Sequence, residues 1–411
     1  MYLLILQGGA YMSQTMTAAE FLQHYALDRR NTNSVKWDAL EQRFNTTDVI
    51  PLWVADMDFK VPETVMTALE DRIKQGAFGY SLISPTYHQT FIDWLTRHHG
   101  YSPKKGWLRF TNGTITTLFW ILHAFTKPQD SVMMLSPVYF PFFSTPQDTD
   151  RTPICSELQR DNTGRYYIDF NDVEKKIKEH QVKVFILCNP HNPVSRLWSE
   201  EELTRLFTLC EQYKVLIISD EIHQDFNFGT FIPALKVADG RFKDSIITIT
   251  SASKTFNLAS LPVAHVIIPN KEHRQRFDNF VKTIDHTQLS VLNLIATEAA
   301  YQTGDVWLTG LLATIQSNYE LLKKELLAKA PNIGFTPLEA TYLAWLDFNA
   351  YIKPEELDDF LIKECRVGVN TSANFAPATP GFGRFNLAAH PDTIKEAANR
   401  IIQGLAQRKL I

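Results

Sequence analysis

Cysteine is scarce in this chain. Only Cys155, Cys188, Cys210 and Cys365 occur among 411 residues, and no two form a CxxC pair. Their neighbours are apolar, which suits buried free thiols in a reducing compartment rather than a disulfide framework. Histidine and cysteine do not cluster at ligand spacing, so no zinc site is expected. No long basic run appears, and the formal charge is −4. That balance argues against nucleic acid or a membrane surface as a partner. Residues 1–6 are apolar, but no basic stretch precedes them and Gly8-Gly9 follows at once. The run is too short for a signal-peptide core or a spanning helix. Residues 1–19 read as a disordered extension, with Met12 and Met16 as alternative starts, on a cytoplasmic protein. Internal repeats and low-complexity stretches are also missing.

What is present points to a large soluble protein. Such a length exceeds one ordinary core, so two or three structural units are expected. Apolar residues make up 45% and charged residues 21%, the balance of a globular chain. Most of the 27 Phe, 14 Tyr and 8 Trp are expected in the core, but a chain this rich in rings can also line a pocket or an interface. Helix signals stand out over Pro62–Gln75, stopped by Gly76, and from Ser84-Pro85 to Gly100. Ser199 with Glu202 forms a capping box opening a helix to about Tyr213. Helical stretches also cover Asp305 to about Ala330 and Pro391 to about Arg408. Between them lie the apolar runs Ser131–Leu135, Val184–Cys188, Val215–Ser219, Ile246–Thr250 and Ala264–Ile268. Runs without alternation suit strands covered on both faces. The expectation is an α/β fold: a mostly parallel sheet over about 105–270, then a smaller α+β domain with strands near Leu343–Asp347 and Phe385–Leu387. The boundaries fall at 20–50 for an N-terminal segment packing on the small domain, 51–300 for the large domain and 301–411 for the small one.

In open α/β sheets, ligands bind beyond the carboxyl ends of the strands. Three successive strands here end in chemistry. Asn189-Pro190-His191-Asn192-Pro193 follows the first, Asp220-Glu221-Ile222-His223 the second, and Ser251-Ala252-Ser253-Lys254-Thr255 the third. Each alone is ordinary: a turn former, a helix cap, a solvated lysine. Together they supply what a Schiff-base coenzyme needs. An amine holds the aldehyde, a carboxylate keeps the ring nitrogen protonated, and an amide donates to the ring hydroxyl. Thr111-Asn112-Gly113-Thr114 precedes a helix and could present backbone N–H groups to a phosphate. Ser251 and Ser253 add hydroxyls beside the lysine.

These residues resemble the fold-type I pyridoxal-phosphate enzymes of the aminotransferase superfamily, specifically their MalY/PatB-like carbon–sulfur lyase (cystathionine β-lyase) branch. The resemblance runs from about Asp28 to the C-terminus. It is carried by Lys36-Trp37-Asp38, Leu52–Phe59, Pro137–Phe142, Cys188–Pro193, Ser219–His223 and Ser253–Leu258. It implies an aspartate aminotransferase-like fold with pyridoxal 5'-phosphate in the large domain, bound as a Schiff base to Lys254. Asp220 would pair with the ring nitrogen, and Asn192 and His223 would stand near the ring hydroxyl. Tyr139 would stack on the ring, and Gly113 and Thr114 would hold the phosphate. Arg384 would grip the substrate carboxylate, a task suited to a guanidinium fork. Tyr80 would reach into the neighbouring subunit's site, which implies a homodimer with shared active sites. The implied reaction is β-elimination from cystathionine or a related S-substituted cysteine. An aminotransferase is the alternative, and a regulatory protein on the same fold is a further one.

The chain also departs from that pattern. Ser195 and Ser260 replace glycines, Ala252 replaces a common proline, and Pro262 stands where relatives carry Arg or Gln. Asn370–Ala376 lacks glycines that relatives use near the substrate. These changes put altered backbone geometry around the phosphate and the substrate among the expectations.

Overall fold

The computed structural model describes residues 15–284, 288–375 and 379–411. Most of the expected N-terminal extension, including Met12, and Ala376 lie outside that set. Met16 is tied in, its N–H donating to Thr309 Oγ1 at 3.0 Å. A helix begins at Ala18, where Thr17 and Glu20 form a capping box.

Seven strands build the central sheet: β1 (Leu108–Thr111), β2 (Ser131–Ser136), β3 (Thr152–Glu157), β4 (Val184–Cys188), β5 (Leu216–Asp220), β6 (Ile246–Ser251) and β7 (Ala264–Ile267). Their order is β1-β7-β6-β5-β4-β2-β3. All neighbours are parallel except β7, which runs antiparallel to β1 and β6. Alternate residues explain why the runs are continuously apolar. Val132, Met134, Val184, Ile186 and Ile218 enter one core; Met133, Leu135, Phe185, Leu187 and Ile217 enter the other. Helices Thr114–Phe125 and Lys271–Thr283 cover the first face. Each such side chain contributes about 1.5–3 kcal/mol by leaving water.

Local signals place most helix ends. Ser199 Oγ accepts from Glu202 N at 3.1 Å, and Glu202 Oε2 accepts from Ser199 N at 2.8 Å, opening the helix at Glu200. Gly76, at φ +69°, stops the helix Glu63–Gln75. The helix expected from Ser84-Pro85 instead begins at Tyr87. The Ser84 hydroxyl donates to the Glu298 carboxylate at 2.8 and 2.9 Å and accepts from Tyr87 N, holding residues 84–86 as a turn. Asp220 and Ser251 close their strands rather than follow them. The reason is that the ladder continues past the apolar run: Asn189 N donates to Asp220 O at 3.0 Å, and Ser251 pairs with Ala264.

The second sheet is antiparallel, with strands β8 (Gly334–Phe335), β9 (Leu343–Asp347), β10 (Asn370–Thr371) and β11 (Phe382–Asn386) in the order β8-β9-β11-β10. The segment Leu52–Asp58 threads between the two sheets. Asn386 N donates to Leu52 O at 3.0 Å, and Asp58 N donates to Ala388 O at 3.0 Å. The N-terminal residues brace this segment. Lys36 is fully buried and pairs with Asp58 at 2.8 Å, Trp37 Nε1 donates to the same carboxylate at 2.8 Å, and Ile50–Pro51 pairs with Val367–Gly368. Phe21 packs edge-on against Phe59 and Trp307. Among the described residues no helix is long and apolar enough to cross a membrane, and no group of three or more His, Cys, Asp or Glu is placed to hold a metal ion.

Candidate active site

β4, β5 and β6 lie side by side, with Cys188 opposite Asp220 and Asp220 opposite Ile249. Their carboxyl ends therefore bring Asn192, Asp220, His223 and Lys254 to one sheet edge. β11, from the other sheet, adds Arg384. Both parts are needed, since Arg384 Nη1 donates to Asn192 Oδ1 at 3.2 Å and Nη2 to Trp53 O at 2.8 Å.

Lys254 sits in a single turn, Ala252–Thr255, capped by Ser251 Oγ, which accepts from Ser253 N at 3.1 Å. Its Nζ donates to Ala55 O at 2.7 Å and forms no ion pair among the described residues. Burial pushes its pKa down to about 8; Arg384 lowers it further, while Asp56 and Asp220 act the other way. An amine so placed is a ready nucleophile toward an aldehyde. Asp220 is only 6% exposed, and burial pushes its pKa up to about 7. One of its oxygens accepts from Ile222 N at 3.0 Å. The other accepts no hydrogen bond among the described residues and is open to a cationic donor. Burial, Lys254 and Arg384 push His223 down to about 3, so it is a neutral ring. Arg384 is buried without a carboxylate partner among the described residues, its guanidinium 5.1 Å over the Phe375 ring and its Nε unpartnered. Burial lowers it to about 10, which leaves it charged. The site therefore carries an excess of buried positive charge, which an anionic ligand would neutralise.

Gly113 opens the helix Thr114–Phe125 with φ +117° and ψ 154°, a conformation essentially reserved for glycine. Its carbonyl accepts from Thr117 N and Thr117 Oγ1, so the first N–H groups of the helix are left for a ligand. Pro262 packs against this turn, 3.8 Å from where a Cβ on Gly113 would lie. Thr114 is buried in the first turn. Tyr139 stands at the rim, 39% exposed and backbone-paired with Phe375, so it is not a core aromatic. Ser253 is part-exposed beside the lysine. The Ser251 hydroxyl is committed to the fold, donating to Val263 O at 2.8 Å. Tyr80 is not brought to this site within the chain; it is 93% exposed, on a loop with exposed Phe78 and Leu82.

Several residues without a role in the sequence reading turn out to line or support the site. Tyr342 is buried and donates its hydroxyl to Ala55 O at 2.7 Å. Asn386 Nδ2 donates to Val54 O and Asp56 O, both at 2.6 Å. Asn257, at φ +56°, bonds Met57 N and O and Phe59 O. Every carbonyl from Trp53 to Met57 thus receives a side-chain donor. The conspicuous stretch Leu52–Phe59 signals that something acts there, but its partners lie hundreds of residues away. Ser195 answers one of the departures. It adopts φ +54° where glycine is usual, and its hydroxyl donates to Leu343 O at 2.6 Å, fastening the Asn192 turn to β9.

A lysine amine, a buried carboxylate near it, an anion-ready helix start and an orphaned arginine are the parts required by an enzyme that holds an aldehyde cofactor and acts on a carboxylated amine. The sequence matches the aminotransferase class I and II family over residues 47–401, and the chain belongs to it. It is 35% identical over 382 residues to cystathionine beta-lyase PatB of Bacillus subtilis, covering 92% of this chain and 98% of that one. Among solved structures it resembles cystalysin from Treponema denticola, which contains a pyridoxal 5'-phosphate cofactor (TM-score 0.89, 30% identity, 93% and 98% covered). It also resembles a PLP-bound C–S lyase from Staphylococcus hominis (TM-score 0.86, 32% identity, 93% and 98% covered). Asp220 with a free oxygen and the glycine-only turn at Gly113 fit that cofactor, and Arg384 without an acid fits a substrate carboxylate.

Proposed function

We propose that the protein cleaves the Cβ–S bond of cystathionine or a related S-substituted cysteine by β-elimination, with pyridoxal 5'-phosphate as cofactor. The observation that carries the reading is the Lys254 amine, held by one carbonyl between Asp220 and the acid-free Arg384. The cofactor supplies an aldehyde for the amine and a ring that withdraws electrons from Cα. Lys254 would hold the aldehyde through its amine, and as a free amine it would serve as the general base for the Cα proton. Asp220 would keep a proton on the ring nitrogen, and Asn192 and the neutral His223 would serve the ring hydroxyl. The N–H groups after Gly113, with Thr114 and Ser253, would hold the phosphate, and Tyr139 would stack on the ring. Arg384 grips the α-carboxylate through two parallel N–H donors, which orients the Cα–H bond. The net reaction consumes one water: the thioether amino acid yields a thiol, pyruvate and ammonium.

The working unit in this reading is a homodimer. Exposed Phe78, Tyr80 and Leu82 would be covered by a second copy, and Tyr80 would enter the partner's site. Four free cysteines suit a reducing cytoplasm. The test is incubation of the cofactor-loaded enzyme with cystathionine and no keto acid. Thiol and pyruvate in equal amounts support the lyase. Turnover seen only after a keto acid is added would make it an aminotransferase, and absence of Lys254-dependent turnover under either condition would point to a regulatory role.

A further inference from the structure

Two donors converge on one backbone oxygen in this site. Lys254 Nζ and Tyr342 Oη both reach Ala55 O, each at 2.7 Å. The acceptor is held from both sides. Asn386 grips the carbonyls of Val54 and Asp56, and Arg384 grips that of Trp53. Tyr342 is equally fixed, fully buried with its ring edge-on to Phe226 at 4.8 Å and to His223 at 5.9 Å. Burial and the nearby Asp56 carboxylate push its ionisation well up, so its hydroxyl stays a donor at any working pH. A carbonyl oxygen has two lone pairs, and a donor on one withdraws density from the other.

We propose that Tyr342 is a positioning residue for Lys254: by sharing the Ala55 oxygen it keeps that oxygen a weak acceptor, so the amine docks there when free and leaves readily to form its bond. The inference rests on Lys254 being the cofactor-bearing lysine. The docking point belongs to the segment Trp53–Met57, clamped from β11 and from Asn257, so a released amine returns to one place instead of sampling the pocket. The charged groups facing the amine are Arg384 on β11, Asp56 beside the docking carbonyl and Asp220 at the end of β5. Tyr342 adds no charge to that set; it acts only through the shared oxygen.

The test uses the full chain freed of cofactor. Trace acylation of Lys254 is followed by peptide mass spectrometry from neutral to alkaline pH, which reports the fraction of free amine. Tyr342→Phe keeps the ring and deletes one oxygen. Ala55 O then becomes a stronger acceptor for the ammonium form. The labelling midpoint should move up by about half to one unit, a threefold to tenfold fall in labelling at neutral pH. Phe226→Leu disturbs the packing of the same ring without touching the hydroxyl and should leave the midpoint in place. Replacing Tyr342 with 3-fluorotyrosine, whose hydroxyl donates more strongly, should move it down, and this arm stands if the phenylalanine variant does not fold. A midpoint unmoved or lowered by Tyr342→Phe, unmoved or raised by the fluorinated residue, or shifted equally by Phe226→Leu overturns the proposal. None of these readouts requires turnover, so a failed pyruvate assay would sink the lyase reading separately.

Discussion

Replacing Asp220 with asparagine should make the cofactor-free protein more stable at alkaline pH. Burial raises this carboxyl from its ordinary value of 3.8 to about 7. A raised carboxyl means that the folded chain keeps a proton the unfolded chain has already lost. Stability therefore falls as pH rises from about 4 to about 7 and then levels off. Three units at about 1.4 kcal/mol each set a ceiling of roughly 4 kcal/mol on the cost of this one group. Asparagine has nearly the same shape, can still accept from Ile222 N and does not titrate. The stability gap between variant and parent should widen by roughly 2–3 kcal/mol between about pH 5 and about pH 8. Glu221, pushed up to about 8 mainly by its own burial, contributes with the same sign in both proteins and largely cancels. Urea titrations of the cofactor-free proteins at both pH values, read by far-UV circular dichroism, measure the gap. A pH-independent gap, or a parent more stable than the variant at pH 8, would refute the reasoning. Cofactor addition should reverse the order, because the carboxylate that is costly when unpaired is the natural partner of a protonated ring nitrogen.

Three further outcomes follow from the same geometry. Arg384→Lys replaces a fork by a point charge and loses one charge-assisted bond to the substrate carboxylate, worth about 1.5–3 kcal/mol. kcat/KM should drop by about 10- to 100-fold with the cofactor absorbance retained, and a drop under about threefold would sink the assignment. Asn386→Ala strips donors from Val54 O and Asp56 O and an acceptor from Ala388 N, all buried or part-buried. It should cost about 3 kcal/mol in urea unfolding, and a loss below about 1 kcal/mol would contradict the clamp. Gly113→Ala meets only an ordinary contact with Pro262 at 3.8 Å but a backbone conformation that costs other residues about 1–3 kcal/mol. Its equilibrium dissociation constant for pyridoxal phosphate should rise by about tenfold or more, and an unchanged constant would exclude the turn as the phosphate site.

Local chemistry was legible residue by residue. The capping box at Ser199, the stop at Gly76 and the run Val184–Cys188 lie where their side chains place them, because caps and burial patterns act over a few residues. The strand ends carrying Asn192, Asp220 and Lys254 could be read as one edge because parallel neighbours in an α/β sheet present their carboxyl ends together. Signals compete where a tertiary partner takes over a side chain: Glu298 takes Ser84 and delays a helix by two residues. Ser251 is a similar case. Its place beside the lysine was visible, but its hydroxyl is spent on Val263 O.

The sequence by itself determined the fold class and the order of the chemical groups along the sheet edge, since each depends on pattern and spacing within one strand-and-turn unit. Only the tertiary structure decided what those groups touch. Ala55 O meets Lys254 across 199 residues and Tyr342 across 287, and Arg384 reaches Asn192 across 192. No local pattern encodes such pairs, because a backbone carbonyl is the same in every residue. It gains these two partners only when the two sheets close on the segment that bears it.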